Sequence, residues 1–169
     1  MKLKYLYFLF FYILLNINAT TLANNIAFID LDLILQNTNY GKNVFETIEN
    51  YKDEKYDEIL NNEKKLKSLE QNIINKKNIV SEVEFNNEVN EFQKKLNDLN
   101  KYKQEIETEF NNFRDKEISN FFNKINPFIQ TYLNNNSIDV LFNIENIIIG
   151  KENLDITNEI IKIINQNIK

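Results

Sequence analysis

Between Phe85 and Phe113 the apolar residues Phe85, Val89, Phe92, Leu96, Leu99, Ile106, Phe110 and Phe113 recur at alternating steps of four and three, and Lys103 holds the one heptad site left over. Almost everything between them is Asn, Glu, Lys, Gln or Asp. A helix with so narrow an apolar stripe is not stable alone in water and must bury it against another helix. The preceding segment, residues 43–77, offers the partner. Phe45, Ile48, Ile59, Leu66, Leu69 and Ile73 share one heptad frame there, with Lys52, Lys55, Asn62 and Lys76 interrupting it. The whole chain contains only two Gly and one Pro, so long unbroken helices are expected. The pattern predicts an antiparallel coiled-coil hairpin over residues 43–125 with its tip near 78–81.

The arms differ in length. At 1.5 Å per residue the first spans about 52 Å and Glu82 to Ile125 spans about 66 Å. The overhang of the second arm carries Phe121, Phe122 and Ile125, which places that end in the body of the protein. Beyond it Pro127 lacks a backbone donor and crowds the preceding turn, so a kink or a helix restart is expected there.

The two ends of the chain change period. Asn25 to Asp30 reads as a strand, and Asp30 or Asp32 caps a short helix before a break at Tyr40-Gly41. Ile138 to Asn143 and Ile147 to Ile149 read as two further strands. The last helix has Asp155 or Thr157 as its cap and Ile160, Ile161, Ile163, Ile164 and Ile168 on its buried side. Strands from both ends can share a sheet only if the helices leave and return. The body is therefore assigned to residues 24–42 and 126–169, and the fold class is α+β, mostly α. A three-stranded sheet with apolar residues on both faces and open edges is unsafe as a monomer, so an oligomer is expected. Its interface is assigned to Ile26, Phe28, Ile29, Val140, Phe142, Ile147, Ile148 and Ile149. Tyr56, Leu60, Ile74, Ile79 and Tyr102 lie off the seam. They either widen the core of the hairpin or contact a bound client.

Residues 1–23 have another character. Lys2 and Lys4 precede the apolar run Tyr5 to Ile17, and a small, polar stretch follows with Thr21 and Ala23 at the −3 and −1 places of a cleavage site. A spanning helix needs about 20 apolar residues, so the segment reads as a cleavable signal peptide and not as an anchor. Removing Lys2 and Lys4 leaves 18 basic and 25 acidic residues, a net charge of −7. An acidic chain is no natural partner for nucleic acid.

Chemistry is constrained by what is missing. The sequence has no Cys and no His, which rules out a Cys/His zinc site, a Cys nucleophile and a His base. Asp30 and Asp32 lack the oxygen-rich spacing of a calcium loop. Glu105 and Glu109 are flanked by Lys on a solvated helix face and do not make an acid–base pair. Neither an enzyme nor a cofactor is expected.

The stretches "IAFIDLDLIL" (26–35), "GKNVFETIENY" (41–51) and "SIDVLFNIENIIIGKENLDITNEIIKIIN" (137–165) resemble the Skp/OmpH family of periplasmic chaperones for outer-membrane proteins. The resemblance covers nearly the whole chain after the leader. It implies a homotrimer, with strands of three subunits forming a barrel-like body and three hairpins enclosing a cavity. It also implies ATP-independent holding of unfolded outer-membrane proteins in the periplasm. The chain departs from the family in charge. The best-known members are markedly basic, and the acidity here argues against lipopolysaccharide or anionic lipid as a partner. The other reading of such a chain is a structural coiled-coil spacer or adaptor of the cell envelope.

Overall fold

The computed structural model describes residues 25–168; the segment 1–23, read above as a signal peptide, lies outside them. Strand β1 (Ile26–Ile29) leads into the short helix α1 (Leu31–Asn37). Two long helices follow, α2 (Asn39–Lys76) and α3 (Glu82–Asn135), then strand β2 (Val140–Asn143) and the final helix α4 (Thr157–Asn167).

The helix ends follow from local side-chain chemistry. The Asp30 carboxylate accepts from the Leu33 N–H at 2.8 Å and caps α1. Thr38 both ends α1, donating its N–H to the Ile34 carbonyl, and caps α2 by accepting from the Gly41 N–H at 3.1 Å. The break between the helices is therefore at Thr38, not at the expected Tyr40-Gly41. Gly41 lies inside the first turn of α2 for a steric reason: a Cβ there would come within 1.8 Å of the Leu35 carbonyl oxygen. At the far end Lys77–Val80 forms the reversal, closed by Ile79 N–H to the Lys76 carbonyl at 2.8 Å. Ser81 then caps α3, and Glu82 and Glu84 in its first turn complement the helix dipole.

Helix α3 runs 54 residues without a restart at Pro127. Proline removes the N–H that would have bonded the Asn123 carbonyl, and it sits where both Asn123 and Pro127 are exposed. The helix continues through it to Asn135.

The two strands pair in parallel, Ile26 with Val140 through Ile29 with Asn143. Asp155 bridges to Phe28 on the other side of β1, where the Ile156 N–H donates to the Phe28 carbonyl at 3.0 Å. The expected third strand at Ile147–Ile149 does not form, and among the described residues the sheet has two strands. Ala27 and Ile29 face inward. They close a core with Ile34 of α1, Val44 and Ile48 of α2, Phe121 and Ile125 of α3, and Ile160 and Ile164 of α4. Both ends of the long hairpin thus enter the same core as both ends of the chain.

A buried threonine and an asparagine side chain fasten these pieces. Thr157, 1% exposed, accepts from the Asp30 N–H at 2.9 Å and donates its hydroxyl to Asp155 at 2.5 Å. Asp155 also accepts from the Thr157 N–H, and so holds the start of α4. The Asn39 N–H at the start of α2 donates to the Asn165 side chain of α4 at 2.7 Å.

Candidate functional site

Two surfaces are left uncovered once the core has closed. The first is the outer face of the sheet. Pleating turns Ile26, Phe28, Val140 and Phe142 away from the core, and Ile26, Val140 and Phe142 are 40–45% exposed. Ile148 and Ile149, in the turn that follows, are 100% and 91% exposed. Ile147 is half-buried. Of the residues assigned to an interface, Phe28 and Ile29 are already covered within the chain. Ile29 faces the core, and Phe28 lies under the loop at Gly150, where a Cβ would come within 2.7 Å of its ring. Strand alternation could have separated the two, since neighbours in a strand cannot share a face.

The second surface is the hairpin. Contacts between its helices pair low numbers of α2 with high numbers of α3. Tyr51 stacks on Phe113 with centroids 4.2 Å apart, Lys103 bonds Glu63 at 2.5 Å, and near the tip Lys76 bonds Glu88 at 2.7 Å. Lys103, the one polar residue on the predicted seam of α3, therefore has an acidic partner across the hairpin. Leu99 and Ile106 on either side of it are buried, whereas Phe85, Phe92 and Leu96 are only half-covered and Val89 is exposed.

Among the off-seam residues, Tyr102 and Leu60 are half-buried and Tyr56, Ile74 and Ile79 are exposed. The Tyr102 hydroxyl donates to the Glu58 carboxylate, and Lys55 approaches the same carboxylate at 3.4 Å. The Tyr102 bond lowers the Glu58 pKa below its ordinary value and, together with desolvation, raises that of Tyr102. Beside this cluster a gap of about 530 Å³ opens between the helices, lined by Asn62, Leu66, Leu69, Leu99 and Tyr102. The middle of the arm is loosely packed. At the tip the structure adds Val83, 72% exposed, to Ile79 and Ile74. Its position off the heptad frame was visible in the sequence.

No group of three or more acidic, His or Cys side chains among the described residues is arranged to hold a metal ion. No helix there is long and apolar enough to cross a membrane.

Fold and surface together define a class: a long helical hairpin carried on a small body built from both chain ends, with apolar patches open to solvent. Residues 25–164 match the family described as outer membrane protein (OmpH-like), and the chain belongs to that family. A solved structure from Caulobacter crescentus CB15, described as a candidate OmpH-like outer membrane chaperone, has a similar fold. Its TM-score is 0.79 at 17% identity, over 86% of each chain. The comparison with curated proteins gives no match.

Proposed function

We propose that this protein is an ATP-independent holdase. It binds unfolded outer-membrane proteins in the periplasm as a homotrimer, after removal of residues 1–23, and keeps them from aggregating before insertion. The observation that carries the reading is the pairing of a loosely packed hairpin with exposed apolar residues both on the arm and on the body. A β-barrel precursor alternates apolar and polar residues and aggregates through unpaired strands. Many weak apolar contacts on a long arm hold such a chain without requiring a specific sequence. Tyr56, Leu60, Ile74, Ile79 and Tyr102 are the proposed client contacts. Ile26, Val140, Phe142, Ile147, Ile148 and Ile149, with Phe28 and Ile29 beneath them, form the proposed subunit interface. No cofactor and no catalytic residue takes part.

The test is to refold a β-barrel membrane protein with and without the mature chain and follow light scattering. Suppressed scattering at one trimer per client is expected. Unchanged scattering at that ratio would leave the chain as a spacer or adaptor of the envelope.

A further inference from the structure

The seam of the hairpin does not close in mid-arm. Leu66 and Leu69 of α2 are only half-buried although both hold heptad positions, and Asn62 puts an amide on the same seam. With Leu99 and Tyr102 of α3 they line the gap of about 530 Å³. Native interiors hold few voids larger than a water molecule, whereas clefts that take a ligand run from about 300 to 1,000 Å³. By size the gap belongs with the clefts.

Cross-hairpin bonds frame it at both ends. Toward the body Lys103 bonds Glu63 and the Tyr102 hydroxyl bonds Glu58; toward the tip Lys76 bonds Glu88. The lining is leucine on the floor with the Tyr102 side chain beside it. Exposed Lys65 and Lys95, one from each helix, complete it, and Asp98 is its one carboxylate. Positive charge is thus in excess around an apolar slot.

That combination selects among apolar guests. An aliphatic side chain gains from the leucines alone. An aromatic ring gains from the leucines, from the Tyr102 ring, and from ammonium groups near its electron-rich face. β-Barrel membrane proteins carry girdles of aromatic residues at both membrane interfaces, and in an unfolded chain those rings have no partner.

We propose that the mid-arm gap is a socket between the two helices of a single arm, and that it takes aromatic side chains of the unfolded client. This rests on the holdase reading above and specifies which client residues the arm grips. A ring that enters the socket closes the seam that Asn62 leaves open. The grip of one socket is weak, and repetition along and between arms makes it sufficient.

The test follows the leucine methyl signals of the mature chain by NMR as N-acetyltryptophanamide is added, with N-acetylleucinamide as the aliphatic competitor. Ring-current shifts at Leu66, Leu69 and Leu99 are expected, with poor displacement by the leucine compound. Asn62→Leu completes the heptad seam. It should abolish these shifts and weaken capture of an unfolded β-barrel protein several-fold without lowering the urea midpoint. Lys65→Gln and Lys95→Gln should each weaken capture roughly two- to five-fold. Both lysines are on the surface, so these variants decide the matter even where Asn62→Leu loosens the arm. Shifts that avoid the three leucines, or variants that all capture as well as the parent, overturn the socket and leave the holdase reading standing. Equal displacement by N-acetylleucinamide overturns the preference for aromatic rings. No capture by the parent chain overturns both readings.

Discussion

The Asp30 N–H donates to the Thr157 hydroxyl at 2.9 Å across 127 positions of sequence. One bond thus joins the start of the first helix to the start of the last. Thr157→Ala leaves the Asp30 N–H without a partner in a half-buried place. A loss of about 1–3 kcal/mol in unfolding free energy is expected. Thr157→Ser should recover most of it. Urea midpoints at fixed protein concentration measure both; a Thr157→Ala protein as stable as the parent would remove this bond from the account of the body.

Gly41 has no room for a side chain. Its virtual Cβ lies 1.8 Å from the Leu35 carbonyl oxygen and 2.8 Å from the Thr38 hydroxyl. Alanine would raise helix propensity by about 1 kcal/mol, and overpacking costs about 1–3 kcal/mol. Backbone does not yield as a flexible side chain does, so the clash prevails. Gly41→Ala should unfold at lower urea than the parent, and a stabilised variant would show that the helix junction relaxes freely.

The Tyr102–Glu58 contact makes the middle of the arm sensitive to pH at both extremes. Glu58 titrates below its ordinary 4.5, chiefly because Tyr102 donates to it. That stabilisation is present above the unfolded value and is lost as pH falls through the lowered one. Tyr102 titrates above its ordinary 10.0, chiefly because of the same bond. Its stabilisation is complete below 10.0 and is lost as pH rises through the raised value. Amide protection in mid-arm, corrected for the intrinsic pH dependence of exchange, should therefore be flat between these limits and weaker outside both. Tyr102→Phe should flatten both limbs, and limbs that persist in the variant would place the titration elsewhere.

On the proposed holdase function, charge sets the salt dependence of client capture. The chain carries −5 overall, and Lys76 and Lys103 are both engaged with acidic partners across the hairpin. Contacts made by apolar side chains are little screened by ions. Capture of an unfolded β-barrel protein should change little between low and moderate salt. A steep loss over that range would mean that charge, and not apolar contact, holds the client.

The hairpin and the family were legible in the sequence because each rests on repeated or extended patterns. Eight apolar residues in one frame require a partner helix, and the segments around Ile26–Leu35 and Ser137–Asn165 carried the resemblance. The helix junction was misread because Gly41 looks like a breaker, while its role is close approach to Leu35. At Pro127 a kink or a restart was expected, and the helix runs on without a restart at an exposed position. Ile147–Ile149 has the composition of a strand, but composition cannot say whether an edge within reach is free. Of the surface residues, Ile148 and Ile149 are exposed. Ile29 was grouped with residues of the opposite face, and the Tyr102 hydroxyl is already engaged with Glu58.

The parallel pairing of Ile26 with Val140 has a consequence for biogenesis. The first strand made must wait for more than a hundred further residues before its neighbour exists, and longer still for Ile160 and Ile164 to seal the core. Contacts so distant in sequence form late, whereas the hairpin can zip from its local turn at Lys77–Val80. A nascent chain halted before Thr157 would have a formed arm and a base that cannot close. The base matures only once the final helix is present to close it.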